Sequence, residues 1–178
     1  MRVIAGRFKG RRLKPPTWDG LRPTSDKLRE TLFNILAPRI EGARVLDGYA
    51  GTGAIGIEAL SRGAAHVTFI DRDRRAVALI EENLKVCGVD ADYTIEGRDL
   101  IAALRQKAGA AFDVIWLDPP YEIADLRAAL DAAAAALAAD GLVILERATR
   151  REPDVPASLA RVRDVTSGDS TLTFLNRP

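Results

Sequence analysis

Residues 44–56 read RVLDGYAGTGAIG: a short apolar strand, an aspartate, then three glycines at the mouth of a helix. Gly51, Gly53 and Gly56 let the backbone turn tightly and approach a bound group where a Cβ would block it. Their G-x-G-x-x-G spacing is that of nucleotide-binding strand–turn–helix units. Asp71, 20 residues after Gly51, stands where such units place an acceptor for ribose hydroxyls. A glycine turn with no ligand is the plain alternative.

Outward from this unit, strand and helix patterns alternate. Strands are expected at Arg44–Asp47, Val67–Asp71, Asp92–Glu96, Asp113–Asp118 and Leu142–Glu146, and helices at 54–62, 74–87, 99–107 and 124–139. The last helix is alanine-rich, and Gly141 is its expected stop. The alternation predicts an α/β fold with right-handed crossovers and a mostly parallel sheet with helices on both faces. Ser158–Asp164 and Ser170–Leu175 read as a closing antiparallel hairpin. Upstream, Arg2–Ala5 and Arg12–Lys14 read as a small β-hairpin around Gly6–Gly10. Thr24 or Ser25 then caps a helix whose Leu28, Leu32, Ile35 and Leu36 form the buried stripe and which Pro38 ends. The chain divides near residue 44 into an N-terminal extension, 1–44, and a ligand-binding domain, 45–178.

A sheet of this kind binds at the carboxyl ends of its strands, and three acids collect there. Asp47, four residues before Gly51, suits a cationic amino-acid moiety better than a pyrophosphate. Asp99, just past the third strand, is placed to accept from an adenine amino group. With Asp71 they suit S-adenosyl-L-methionine, which carries an ammonium, a sulfonium and a ribose but no phosphate. Loop bracing for Asp47 and helix capping for Asp99 are the structural alternatives. The fourth strand delivers Asp118-Pro119-Pro120-Tyr121 to the same edge. A carboxylate, a proline carbonyl and an aromatic plane converge there, a set suited to gripping the exocyclic amino group of a planar base while Tyr121 stacks on its ring.

Charge divides along the same boundary. Residues 1–44 carry 11 Lys/Arg against 4 Asp/Glu, and residues 45–178 carry 15 against 21, within a net charge of +1 over 178 residues. Arg7, Lys9, Arg11, Arg12 and Lys14 fall within eight residues, the pattern of an arm that meets a polyanion, or else of a solvated terminus. With 47% hydrophobic residues the chain reads as an ordinary globular protein. It shows no membrane-length apolar run and no apolar h-region in its basic opening, so a cytoplasmic protein is expected. One cysteine, Cys87, excludes an internal disulfide framework, and one histidine, His66, excludes most zinc sites, so no metal is expected. Cys87 reads as a small buried hydrophobe rather than a nucleophile. Trp116 reads as core packing, and Trp18 as loop packing or an RNA contact.

These motifs together resemble the Class I S-adenosylmethionine-dependent methyltransferases of the amino-directed group, whose signature is (D/N/S)-P-P-(Y/F/W). More closely, the chain resembles the bacterial ribosomal small-subunit methyltransferase D family. The match runs from Ile4-Ala5-Gly6-Arg7 and Gly10-Arg11 through Arg22-Pro23-Thr24-Ser25-Asp26-Lys27-Leu28-Arg29-Glu30-Thr31-Leu32-Phe33-Asn34-Ile35-Leu36. It continues through Leu46-Asp47 and Ala50–Ala64 to Asp118–Tyr121. The resemblance implies a Rossmann-like methyltransferase fold and methylation of N2 of one guanine in 16S rRNA. It also implies an assembled small subunit as substrate and a monomeric enzyme. It assigns Arg22, Pro23, Thr24, Asp47, Gly51, Gly53, Asp71 and Asp99 to the cofactor and Asp118, Pro119, Pro120 and Tyr121 to catalysis. Gly48-Tyr49 stands where the family often has a bulkier residue and Phe, at the wall of the cofactor pocket.

Three other readings compete. A nicotinamide-dinucleotide oxidoreductase explains the glycines and Asp71 but gives Asp118–Tyr121 no task. A non-catalytic RNA-binding module leaves the acids unexplained. An amino-methyltransferase acting on adenine N6 usually needs a target-recognition domain for which no residues remain.

Overall fold

The computed structural model describes residues 1–18, 24–109, 112–120 and 125–178. Helix α1 (Asp26–Ile40) precedes β1 (Arg44–Gly48), α2 (Ala54–Ser61), β2 (His66–Ile70), α3 (Arg74–Cys87), β3 (Tyr93–Glu96), α4 (Leu100–Gln106) and β4 (Phe112–Leu117). Then follow α5 (Leu126–Ala136), β5 (Leu137–Ala148), β6 (Ala160–Ser167) and β7 (Ser170–Asn176). These strands form one sheet in the order β3-β2-β1-β4-β5-β7-β6. The first five run parallel, and β7 and β6 close the edge as the expected antiparallel hairpin. The chain leaves β1 toward β2 on one side and returns to β4 on the other, so the crevice between β1 and β4 is the sheet's switch point.

Alternation along the strands builds two cores. Val45, Val67, Val114, Trp116 and Ile144 face α1, α2 and α3. Leu46, Ile70, Ile115, Leu117 and Leu145 face α4 and α5. The N-terminal arm joins the first core through Val3, Phe8 and Leu13. Its attachment is polar as well as apolar. Fully buried Glu58 on α2 accepts from the amides of Ile4 (2.7 Å) and Ala5 (3.0 Å) and from Arg62 Nε (2.8 Å). Gly6 lies so close to α2 that a Cβ there would sit 1.9 Å from the Ser61 carbonyl oxygen.

Three local expectations give way to tertiary contacts. The N-terminal β-hairpin reduces to a single antiparallel bridge, Arg2↔Arg12, because the next amides serve Glu58 instead of a partner strand. Helix α1 runs through Pro38 to Ile40. A proline in the last turn costs one backbone bond, and buried Leu36 and Ile40 hold that turn to the core. The alanine-rich helix stops at Ala136, and Gly141 lies inside β5 rather than ending a helix. Leu137 pairs with Phe112 there, and a Cβ on Gly141 would fall 2.9 Å from the Phe112 carbonyl oxygen. Arg177 donates to the carbonyls of Ala134 (2.9 Å) and Leu137 (2.7 Å), satisfying the end of α5. Among the described residues no helix is long and apolar enough to cross a membrane.

Candidate active site

The carboxyl ends of β1, β2, β4 and β5 surround one cavity of about 1070 Å³, which Asp47, Asp71, Asp99, Asp118 and Glu146 all line. Three of these acids are held by backbone amides. Asp47 at the end of β1 is 1% exposed, and its Oδ2 accepts the Gly56 amide at 2.8 Å. That contact requires α2 to press on the sheet, where a Cβ on Gly56 would lie 2.2 Å from the Phe69 ring. Asp71 accepts the Gly51 amide with Oδ2 and the Asp73 amide with Oδ1, both at 2.9 Å, so it shapes the glycine loop that it faces. Gly53, at φ +73°, is the N-cap of α2 and donates to the Ala50 carbonyl at 2.7 Å. Asp99 caps α4 through Oδ1 (Ala102 amide, 2.9 Å) and is exposed. The bracing and capping roles foreseen for these acids are therefore real, and they coexist with a place on the cavity wall.

Electrostatics favour a cation in this cleft. Burial pushes the Asp47 carboxyl up to about 8, with Asp71 adding to the rise against the Gly56 bond. Asp118, half-buried past the end of β4, is held well above the usual carboxylate range by burial, then by Glu146 and Asp47. Tyr49 is pushed up to about 12 by burial and by Asp99. Its backbone is left-handed at φ +59°, a conformation that a side chain occupies at a cost of about 1 kcal/mol or more. Among the described residues no cationic side chain pairs with Asp47, Asp118 or Glu146.

Gly51, Thr24, Pro119 and Pro120 also line the cavity. Arg22, Pro23 and Tyr121 lie outside the described residues. Trp116 is 2% exposed and packs in the first core while contributing to the cavity wall. Trp18 lines the cavity too, with the Arg75 guanidinium 4.9 Å from its ring centre. The five basic residues of the arm are exposed, but unequally free. Arg11 donates to the Cys87 carbonyl at the end of α3 and stacks over Phe8, and Lys14 pairs with Glu82 at 3.0 Å. Arg7 lies over the Phe8 ring at 4.7 Å. Lys9 and Arg12 carry no ion pair among the described residues.

A family model described as conserved hypothetical protein 95 matches residues 1–176. The chain is 36% identical over 180 residues to ribosomal RNA small subunit methyltransferase D of Escherichia coli (strain K12), covering 99% of this chain and 90% of that one. The chain belongs to the ribosomal RNA small subunit methyltransferase D family. It is also 39% identical over 173 residues to "Putative rRNA methyltransferase YlbH" of Bacillus subtilis (strain 168), covering 94% of each chain. Among solved structures, "Putative methyltransferase yhhF from Escherichia coli" superposes with a TM-score of 0.86 at 35% identity, covering 99% of this chain and 97% of that one.

Three residues of this methyltransferase D family member escape a reading by motif. Asn83, buried on α3, accepts the Lys14 amide at 2.7 Å and donates to the Thr52 carbonyl at 2.9 Å, so it ties the basic arm to the glycine loop. Its one sequence signal is an amide on the buried stripe of Ala76, Leu79, Ile80 and Leu84. Tyr49, which no motif names but which the resemblance sets at the wall of the cofactor pocket, does line the cavity. Glu146 offered nothing beyond the end of an apolar run, yet it accepts the Thr24 hydroxyl at 2.7 Å inside the cleft.

Proposed function

We propose that this protein transfers a methyl group from S-adenosylmethionine to the exocyclic N2 amino group of a guanine in 16S rRNA, within the assembled small subunit. The observation that carries the reading is the convergence of Asp47, Asp71, Asp99 and Asp118-Pro119-Pro120 on one cavity at the switch point of the sheet. A buried carboxyl at about 8, beside a second acid and without a cationic partner, is matched by an ammonium group. The residues present therefore fit the cofactor. Asp47 and the Gly51–Gly53 loop would hold its amino-acid part, Asp71 its ribose and Asp99 its adenine. When bound, S-adenosylmethionine supplies an electrophilic methyl group on a sulfonium sulfur.

The chain's own residues do the rest. Asp118 accepts a hydrogen bond from the target amino group, which directs the nitrogen lone pair and stabilises positive charge growing on it. On gaining the methyl group, the target amino nitrogen would release one proton to solvent. Among the described residues the Pro119 carbonyl receives no backbone donor, so it can accept the second amino hydrogen. Tyr121, outside the described residues, would supply the ring that stacks on the base. The basic arm, with Arg7, Lys9, Arg11, Arg12 and Lys14 all exposed, meets rRNA phosphates, and Asn83 couples its position to the cofactor loop. A dinucleotide pyrophosphate would instead place negative charge against Asp47 and Asp71.

Thermal unfolding tests the cofactor half of the proposal. S-adenosylhomocysteine should raise Tm by mass action, and a nicotinamide dinucleotide should leave it unchanged. Stabilisation by the dinucleotide alone would replace methyl transfer with a redox reading.

A further inference from the structure

Glu146 is placed by the same ladder that places Asp118. Leu117 pairs with Leu145 across β4 and β5, so residues 118 and 146 are neighbours one step beyond that pair. Trp116 and Ile144 face one core while Leu117 and Leu145 face the other, which sends Asp118 and Glu146 to the same side. Both line the cavity, and Asp118 feels Glu146 more strongly than any other acid. Two carboxylates therefore stand side by side where a target base must enter. Thr24 holds Oε2 of Glu146 at 2.7 Å, and among the described residues Oε1 receives no donor.

Two adjacent acceptors match one purine edge. Guanine presents its N1–H next to its N2 amino group, so two donors face outward together. Adenine presents an amino group next to a bare N1, whose lone pair would oppose a carboxylate. We propose that Glu146 selects guanine, its carboxylate accepting the N1–H of the base whose N2 amino group is held by Asp118. The inference rests on the methyl-transfer reading above and adds the residue that sets its base specificity. A site built to receive an N–H discriminates strongly against an analogue lacking it, because buried polar groups are left unpaired.

The probe is 2-aminopurine, which keeps the N2 amino group but carries a bare N1 and no O6, so the change of preference in a Glu146 variant isolates the contact to N1. Small subunits are reconstituted with 16S rRNA carrying either guanine or 2-aminopurine at the methylated position, and kcat/KM is compared using the full chain with S-adenosylmethionine. The wild type should prefer guanine by roughly ten- to a hundredfold, the scale of one good base-reading contact. E146Q, whose amide can either accept from N1–H or donate to a bare N1, should reduce that ratio to roughly threefold or less while binding S-adenosylhomocysteine as the wild type does. Equal use of both bases by the wild type, a comparison that needs no variant, overturns the assignment. So does an unchanged ratio in E146Q with normal S-adenosylhomocysteine binding, and either result leaves methyl transfer standing. Failure of the wild type to methylate any RNA would instead overturn the reading on which the assignment rests.

Discussion

Asp47 Oδ2 accepts the Gly56 amide at 2.8 Å while the carboxyl is 1% exposed, so one side chain both clamps α2 to β1 and stores a buried acid at the cleft floor. Its folded-state value of about 8 stands above the ordinary 3.8, so the folded chain binds the extra proton. That contribution to stability is full below pH 3.8 and is lost as pH rises through 8. Asp47→Asn keeps an acceptor for Gly56 but removes the charge. The Tm difference between variant and wild type, measured without ligand, should grow in the variant's favour from pH 5 to pH 8.

The same acid makes ligand binding pH-dependent in the opposite sense. An ammonium favours ionised Asp47, so S-adenosylhomocysteine affinity should rise with pH up to about 8, by at most about tenfold per pH unit. Calorimetry in buffers of different ionisation enthalpy should detect proton release on binding. Asp47→Asn should bind more weakly and lose this pH dependence.

Asp118→Ala should lower turnover by about 10²-fold or more with S-adenosylhomocysteine affinity nearly intact, the signature of an interaction made with the reacting group. Single-turnover methylation alongside equilibrium binding separates the two quantities. Near-normal turnover would remove Asp118 from the mechanism.

Glu58 anchors the basic arm through two of its amides and also accepts from Arg62 at the end of its own helix, so Glu58→Ala leaves buried donors without partners. The variant should lose about 3 kcal/mol in urea unfolding. Glu58→Gln should lose less, because it still accepts.

The arm's cations divide into two classes that mutation can separate. Lys9→Glu with Arg12→Glu should weaken subunit binding several-fold and flatten its salt dependence by roughly 0.7–0.9 for each phosphate the arm no longer neutralises, with Tm unchanged. Arg11→Ala should lower Tm, because its guanidinium closes the end of α3 and stacks over Phe8. Equal salt slopes in the double variant and the wild type would remove the arm from RNA binding.

The strand-end acids were legible because their spacing from the glycine loop, together with strand–helix alternation, determines which carboxyl ends meet. Asp71 faces Gly51 across a 20-residue gap as that spacing requires. Contacts between distant segments carry no local pattern. Thr24 and Glu146 lie 122 residues apart, and neither belongs to a motif that names the other. The end of α5 was misplaced for the same reason. Alanine propensity extends the helix, but pairing of Leu137 with Phe112 determines where the strand begins. Arg11 and Lys14 looked like free cations because nothing in the arm announces the end of α3 or Glu82 beneath it.

Mass spectrometry of 16S rRNA bears most directly on the central claim. Small subunits from cells lacking this protein are incubated with the purified chain and S-adenosylmethionine, and the rRNA is digested to nucleosides and fragments. One guanosine should gain a single methyl group on N2, and Asp118→Ala should leave it unmodified in the same time. An unmodified 16S rRNA, or a methyl group found on adenine or on another guanine atom, would contradict the account.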